Sequence, residues 1–222
     1  MSRLIVFDVD STLLSVESLD FAVERALKRV KDGPERAAEL SAITEQGMAG
    51  LLDFRASLER RLSIARLTER QVDDAAQALR ARITSGMAEL LERLRAKRFS
   101  LAAVSGGFAE LIEPALGELG FTKGDIRANR FVFEAGRASD FDRDNPLSRS
   151  GGKGPVLASL KAQLGARSAI MVGDGMTDYE AFEAGAADAF IGFGGVTRRE
   201  AVARKAPAYA EDVEALGRYL LG

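Results

Sequence analysis

Four short apolar runs punctuate an otherwise mixed chain: Leu4 to Phe7, Leu101 to Val104, Ala169 to Val172 and Ala189 to Ile191. Each has strand length and is followed by Asp, Ser or Gly, the pattern of strands buried on both faces. Helical spacings lie between them. Met87, Leu90, Leu91 and Leu94 share one face, as do Val156, Leu157, Leu160 and Leu164. This alternation predicts an α/β fold, a Rossmann-like parallel sheet with helices on both sides.

The first interval breaks the rhythm. From Leu13 to about Arg82 nothing reads as a strand. Leu19, Ala22, Val23, Ala26, Leu27 and Val30 form one helical face, and Gly33-Pro34 opens another helix. Phe54, Leu58, Arg61 and Leu62 mark a third, and Thr68 with Gln71 reads as a capping box. A crossover between parallel strands seldom needs so much chain. Residues 14–82 are therefore expected to form an inserted helical cap domain, with 1–13 and 83–222 making a discontinuous core. Hinges are expected near Leu13 to Ser15 and Leu79 to Ser85. Farther on, Phe131 to Phe133 followed by Glu134-Ala135-Gly136-Arg137 predicts a hairpin between Asn129 and Phe141. The polar stretch from Asp140 to Gly154 reads as a loop.

Composition removes whole mechanisms. Among 222 residues there is no Cys and no His. That excludes thiolate nucleophiles, zinc–thiolate sites, Ser-His-Asp triads and imidazole bases. A bound metal would have to be hard and oxygen-ligated, which favours magnesium. With 31 basic and 33 acidic residues the net charge is −2, which offers no footprint for nucleic acid or an anionic membrane. No apolar run spans a bilayer and no leader is evident, so a cytoplasmic enzyme acting on a small molecule is expected, as a monomer or homodimer.

The chemistry gathers at the strand ends. The first run leads into Asp8-Val9-Asp10-Ser11-Thr12, the second into Ser105-Gly106-Gly107, the third into Gly173-Asp174-Gly175 with Asp178 just beyond. In a parallel sheet these ends share the edge where ligands bind. Lys153, in Gly151-Gly152-Lys153-Gly154, can reach the same place from the start of a helix. Clustered carboxylates need a cation to offset their repulsion. Ser105, backbone N–H groups and Lys153 are donors for a phosphate. Together they point to phosphoryl transfer. Neither glycine cluster fits a nucleotide motif: Gly154 stands where a P-loop needs Ser or Thr, and Asp178 where a dinucleotide fingerprint needs its third glycine.

These four motifs, in this order, resemble those of the haloacid dehalogenase superfamily. Asp8-Val9-Asp10-Ser11-Thr12 is similar to its DxDx[TV] signature, Ser105 to the second motif, Lys153 to the third and Gly173-Asp174-Gly175-Met176-Thr177-Asp178 to the fourth. Nearly the whole chain resembles the phosphoserine phosphatases within it. The resemblance implies that Asp8 is the nucleophile and Asp10 the general acid and base. It implies Mg²⁺ on Asp8, the backbone carbonyl of Asp10 and Asp174, with Asp178 behind them. Ser105, Gly106, Gly107 and Lys153 would hold the phosphoryl group. Glu17 would receive the substrate ammonium and Arg61 its carboxylate, with Met48, Gly50 and Phe54 as the pocket wall. Thr177 stands where many bacterial members carry Asn. The implied reaction is hydrolysis of O-phospho-L-serine, the last step of serine biosynthesis. Transfer to an alcohol such as homoserine, another small phosphate ester, and non-catalytic binding of a phosphorylated ligand stay open here.

Overall fold

The computed structural model describes residues 3–28, 30–48 (Met48 as backbone) and 51–222. Strand β1 (Arg3–Phe7) shows why the sheet needs cover on both sides. Leu4 and Val6 enter one apolar cluster, Ile5 and Phe7 the other, and all four are fully buried. After β1 come helices α1 (Ser18–Leu27), α2 (Gly33–Met48), α3 (Phe54–Ala65), α4 (Glu69–Leu79) and α5 (Met87–Ala96). Then follow β2 (Ser100–Phe108), α6 (Ala109–Glu118), β3 (Ile126–Asn129), β4 (Phe131–Glu134), β5 (Arg137–Phe141) and α7 (Lys153–Gln163). The chain ends with β6 (Ser168–Gly173), α8 (Met176–Glu183), β7 (Ala189–Phe193), α9 (Glu200–Lys205), β8 (Ala208–Ala210) and α10 (Val213–Leu221).

Six strands form one parallel sheet in the order β3-β2-β1-β6-β7-β8. The expected α/β architecture is therefore present. The order reverses at β1, so the switch point lies over the ends of β1, β2 and β6. The four expected strands are β1, β2, β6 and β7. The edge strands β3 and β8 were not anticipated, because Arg127 and Asn129 interrupt the first and the second offers only Ala-Tyr-Ala, so neither stands out as an apolar run. β2 also runs on to Phe108 instead of stopping at Val104. Its register shifts between Val104 and Phe108, and glycines in that shift carry no apolar signal. Leu164 and Val30 do not join the buried faces assigned to them; they are 44% and 40% exposed. Both lie just past a helix end, where the helical face no longer continues.

The long interval between β1 and α5 is helical, α1 to α4. Its two ends cross side by side. Leu14 pairs antiparallel with Ile83, Ser15 N–H donates to the Arg82 carbonyl at 2.7 Å, and Thr84 N–H to the Leu13 carbonyl at 2.9 Å. The capping box of α4 forms as expected: Gln71 N–H donates to Thr68 Oγ1 and Thr68 N–H to Gln71 Oε1. The expected hairpin is β4–β5, turning at Ala135-Gly136. It clasps the helices, since Ala138 N–H donates to the Leu67 carbonyl at 2.8 Å and Glu69 N–H to the Gly136 carbonyl at 3.3 Å. The segment expected as one loop begins with the end of β5 and holds a short helical turn at Pro146–Ser148. Arg55 of α3 donates to the Arg143 carbonyl and Ser148 Oγ there, at 2.8 and 2.9 Å.

Candidate active site

β1 sets Asp8 at the sheet edge, its N–H donating to the Val172 carbonyl of β6 at 2.8 Å. The chain then folds into a wide turn, closed by Leu14 N–H on the Val9 carbonyl at 2.8 Å. Ser11 takes φ +54° there, a left-handed conformation costing about 1 kcal/mol outside glycine. Its hydroxyl donates to Glu17 Oε1 at 2.9 Å, which helps hold that turn. The turn hands Asp10 to α1: Ser18 N–H donates to Asp10 Oδ1 at 3.1 Å and Ser18 Oγ–H to Oδ2 at 3.0 Å.

Lys153 arrives from the start of α7. Gly152 precedes it and packs on the Pro146 carbonyl, where a Cβ has no room. The Lys153 ammonium lies 2.5 Å from Asp8 Oδ1 and 2.5 Å from Asp178 Oδ1. Ser105 Oγ accepts Gly107 N–H at 2.9 Å, which leaves its own proton free to donate. Asn129 ties this corner down from β3, donating to the Gly106 and Leu147 carbonyls at 2.9 and 3.0 Å. Phe54 closes over Gly106, where a Cβ would sit 2.5 Å from Phe54 Cζ. A side chain there would push the Phe54 ring aside.

One pocket is lined by Asp8, Asp10, Glu17, Phe54, Arg61, Ser105, Gly106, Gly107, Lys153, Thr177 and Asp178. The structure therefore brings together nearly every residue singled out from the sequence. The Met48 side chain and Gly50 lie outside the described residues. Asp174 stands with the group: carboxylate oxygens of Asp8, Asp174 and Asp178 all lie within 4.8 Å of one another.

Burial dominates the electrostatics. It pushes the Asp10 carboxyl well above the usual range, and the charges of Glu17 and Asp8 add to it. Burial likewise raises Asp174, with Asp8 and Glu17 adding repulsion. Asp178 is pushed to about 7 by burial, against the pull of Lys153. Burial alone would lower Lys153, but Asp178 and Asp8 outweigh it and hold the ammonium above its ordinary value. Asp174 Oδ1 is buried with no hydrogen-bond partner. An orphaned carboxylate oxygen beside two more carboxylates, with no nitrogen or sulfur ligand, fits a hard divalent cation.

Two features escaped the sequence reading. Arg199 reaches in from the loop after β7. Its Nε donates to Asp174 Oδ2 at 2.6 Å, and its Nη2 lies 3.3 Å from Glu17 Oε1. It follows the fourth apolar run, but which of the adjacent Arg198 and Arg199 turns inward is not legible from the chain. The second is Asp20, buried on α1 behind Arg61 and pushed to about 7 by burial despite that guanidinium.

A family profile described as haloacid dehalogenase-like hydrolase matches residues 2–185. The chain is 36% identical over 217 residues to a phosphoserine phosphatase of Drosophila melanogaster, covering 97% of this chain and 77% of that protein. The chain belongs to the phosphoserine phosphatase family of haloacid dehalogenase-like hydrolases. Solved structures agree with membership of that family. A phosphoserine phosphohydrolase-like protein from Francisella tularensis superposes with a TM-score of 0.88 at 31% identity, covering 100% of both chains. A phospho-aspartyl intermediate analogue of phosphoserine phosphatase superposes at 0.83, with 28% identity over 98% of each chain. No helix among the described residues is long and apolar enough to cross a membrane.

Proposed function

We propose that this chain hydrolyses O-phospho-L-serine to L-serine and phosphate through an aspartyl-phosphate on Asp8. One observation carries the reading. A single pocket holds Asp8 beside Lys153 and Ser105, with Glu17 and Arg61 lining it as well. The first group suits a phosphoryl centre, the second an ammonium and a carboxylate. The naming of the relatives supports the same substrate.

In this reading an Asp8 carboxylate oxygen attacks phosphorus while Lys153 and Ser105 donate to the phosphoryl oxygens. The bond from phosphorus to the seryl oxygen breaks, and Asp10 gives its proton to the leaving oxygen. Burial and the like charges of Glu17 and Asp8 raise this carboxyl, which favours its holding that proton. Asp10 is then ionised, the form that the two Ser18 donors favour. It takes a proton from water attacking the phosphorus, and the bond to Asp8 breaks as phosphate leaves. Asp8, the Asp10 backbone carbonyl and Asp174 would hold Mg²⁺, with Asp178 bracing the cluster, and the ion supplies positive charge against the phosphoryl oxygens. Residues 14–82 act as a cap over a core of 1–13 and 83–222, shedding water from the acyl phosphate when closed. The paired crossings at Leu14 and Ile83 are the hinge of this motion.

Phosphate release with Mg²⁺ from phosphoserine, phosphothreonine, a sugar phosphate and a nucleoside monophosphate tests the reading. Strong preference for phosphoserine is expected; equal or better turnover of another ester overturns the substrate assignment. Arg61→Ala should lower kcat/KM for phosphoserine about a hundredfold more than for an aryl phosphate. Its Nε is buried without an acceptor, so a donor already awaits the substrate carboxylate. Mg²⁺ at a hundred times its Kd should stabilise the fold by about 2.7 kcal/mol, a rise in Tm of about 5–10 °C. Asp174→Asn should abolish that rise in a thermal melt. An undiminished rise would place the ion elsewhere.

A further inference from the structure

We infer that Asp20, bridged by Thr44, is a positioning residue that sets the guanidinium of Arg61 for the substrate carboxylate. This rests on the proposed reading of Arg61. Three helices meet at the cluster. Asp20 comes from α1, Thr44 from α2 and Arg61 from α3. Thr44 Oγ1 donates to Asp20 Oδ1 at 2.9 Å, and Arg61 Nη1 donates to Thr44 Oγ1 at 3.3 Å. The same Nη1 lies 3.7 Å from Asp20 Oδ1. Arg61 and Thr44 both line the pocket, whereas Asp20 does not. Asp20 therefore acts on a ligand only through them.

A carboxylate is costly to bury, and Asp20 is 9% exposed on a helix otherwise packing Leu19, Ala22 and Val23. An apolar residue would serve packing alone with no such cost. What the carboxylate adds is direction. It occupies the Nη1 side of the guanidinium and leaves the other edge, which carries Nε, without an acceptor. A planar fork held at one end presents its free edge in a fixed plane, so less freedom is lost when a carboxylate docks. Ser57, also buried, fills the layer beside Ile43 with its hydroxyl on that carbonyl, 3.4 Å away.

Purified full-length Asp20→Asn, Thr44→Val and Arg61→Ala, with Asp20→Asn/Arg61→Ala, are assayed on phosphoserine and p-nitrophenyl phosphate. Far-ultraviolet circular dichroism checks folding of each. Asp20→Asn should raise KM for phosphoserine about tenfold with kcat within about twofold, and leave the aryl phosphate unchanged. Thr44→Val, which keeps Asp20 and removes the bridge together with the hydroxyl's contact to the Leu40 carbonyl of its own helix at 3.1 Å, should shift KM in the same direction and provides the test if Asp20→Asn does not fold. Within the Arg61→Ala background, Asp20→Asn should add nothing. If Asp20→Asn slows both substrates alike, or its loss adds fully to that of Arg61→Ala, the positioning role is overturned while the reading of Arg61 stands. If Arg61→Ala leaves the ratio between substrates unchanged, the reading of Arg61 falls, and the role of Asp20 falls with it.

Discussion

Asp8→Asn should lower turnover of every phosphate ester by about four orders of magnitude or more. An amide oxygen is a poor nucleophile, and the pocket's other carboxylates are engaged elsewhere. Asp10 accepts from Ser18, Glu17 from Ser11 and Arg199, and Asp178 from Lys153 and Gly175 N–H. The fold should survive. Asp8 adds repulsion to Asp10, Asp174 and Asp178, so its neutralisation relieves strain as it weakens the bond to Lys153. The expected protein is folded, still able to bind phosphoserine, and forms no trappable acyl phosphate under acid quench. Substantial phosphate release from it would exclude the covalent route.

Lys153→Met should fail differently, weakening the fold as well as losing the chemistry. The ammonium is buried and neutralises two carboxylates at once. Removing one partner from a buried charge cluster costs about 3–5 kcal/mol. The sign of the pH dependence follows. Burial pushes Asp178 up to about 7 in the folded chain, against 3.8 as its ordinary value. A carboxyl raised on folding weakens the fold as pH climbs from its unfolded value through its folded one. Without Lys153 that rise is larger. Metal-free Lys153→Met should therefore lose more stability, relative to wild type, at pH 8 than at pH 5.5 in urea titrations. An equal loss at both pH values would mean that Lys153 acts by packing and not by charge.

Motif residues were legible because each follows an apolar run, and the run fixes which edge it faces. Asp8, Ser105 and Asp174 are found this way without any structure. Lys153 is found by its glycines. Arg199 was not, because Thr197-Arg198-Arg199-Glu200 reads as a solvated surface and Arg198 next to it does pair with Glu200 and Glu211 at the surface. Only the return of the chain after β7 turns one of two adjacent arginines inward. Asp20 was hidden for a related reason. On a helix a single acid among apolar residues looks like a solvated position, and its partners lie 24 and 41 residues away. The strands β3 and β8 lack a strong apolar run, the first broken by Arg127 and Asn129 and the second made of Ala-Tyr-Ala. Contacts local in sequence were readable, while pairings made by tertiary return were not.

The pair of crossings at Leu14 and Ile83 has a consequence for how such a chain can change over generations. Residues paired in this way bring their Cα atoms to within about 5 Å, so everything between them departs and returns at nearly one point. A segment of any length whose ends meet at that spacing could be spliced into the same doorway without moving β1 or α5. Asp8, Ser105, Lys153 and Asp174 all lie on the sheet side of that doorway, and Glu17, Phe54 and Arg61 on the far side. In the proposed reading, the bond-breaking apparatus and the part that discriminates between ligands are thus heritable separately, and recombination at one locus can give an old reaction a new clientele.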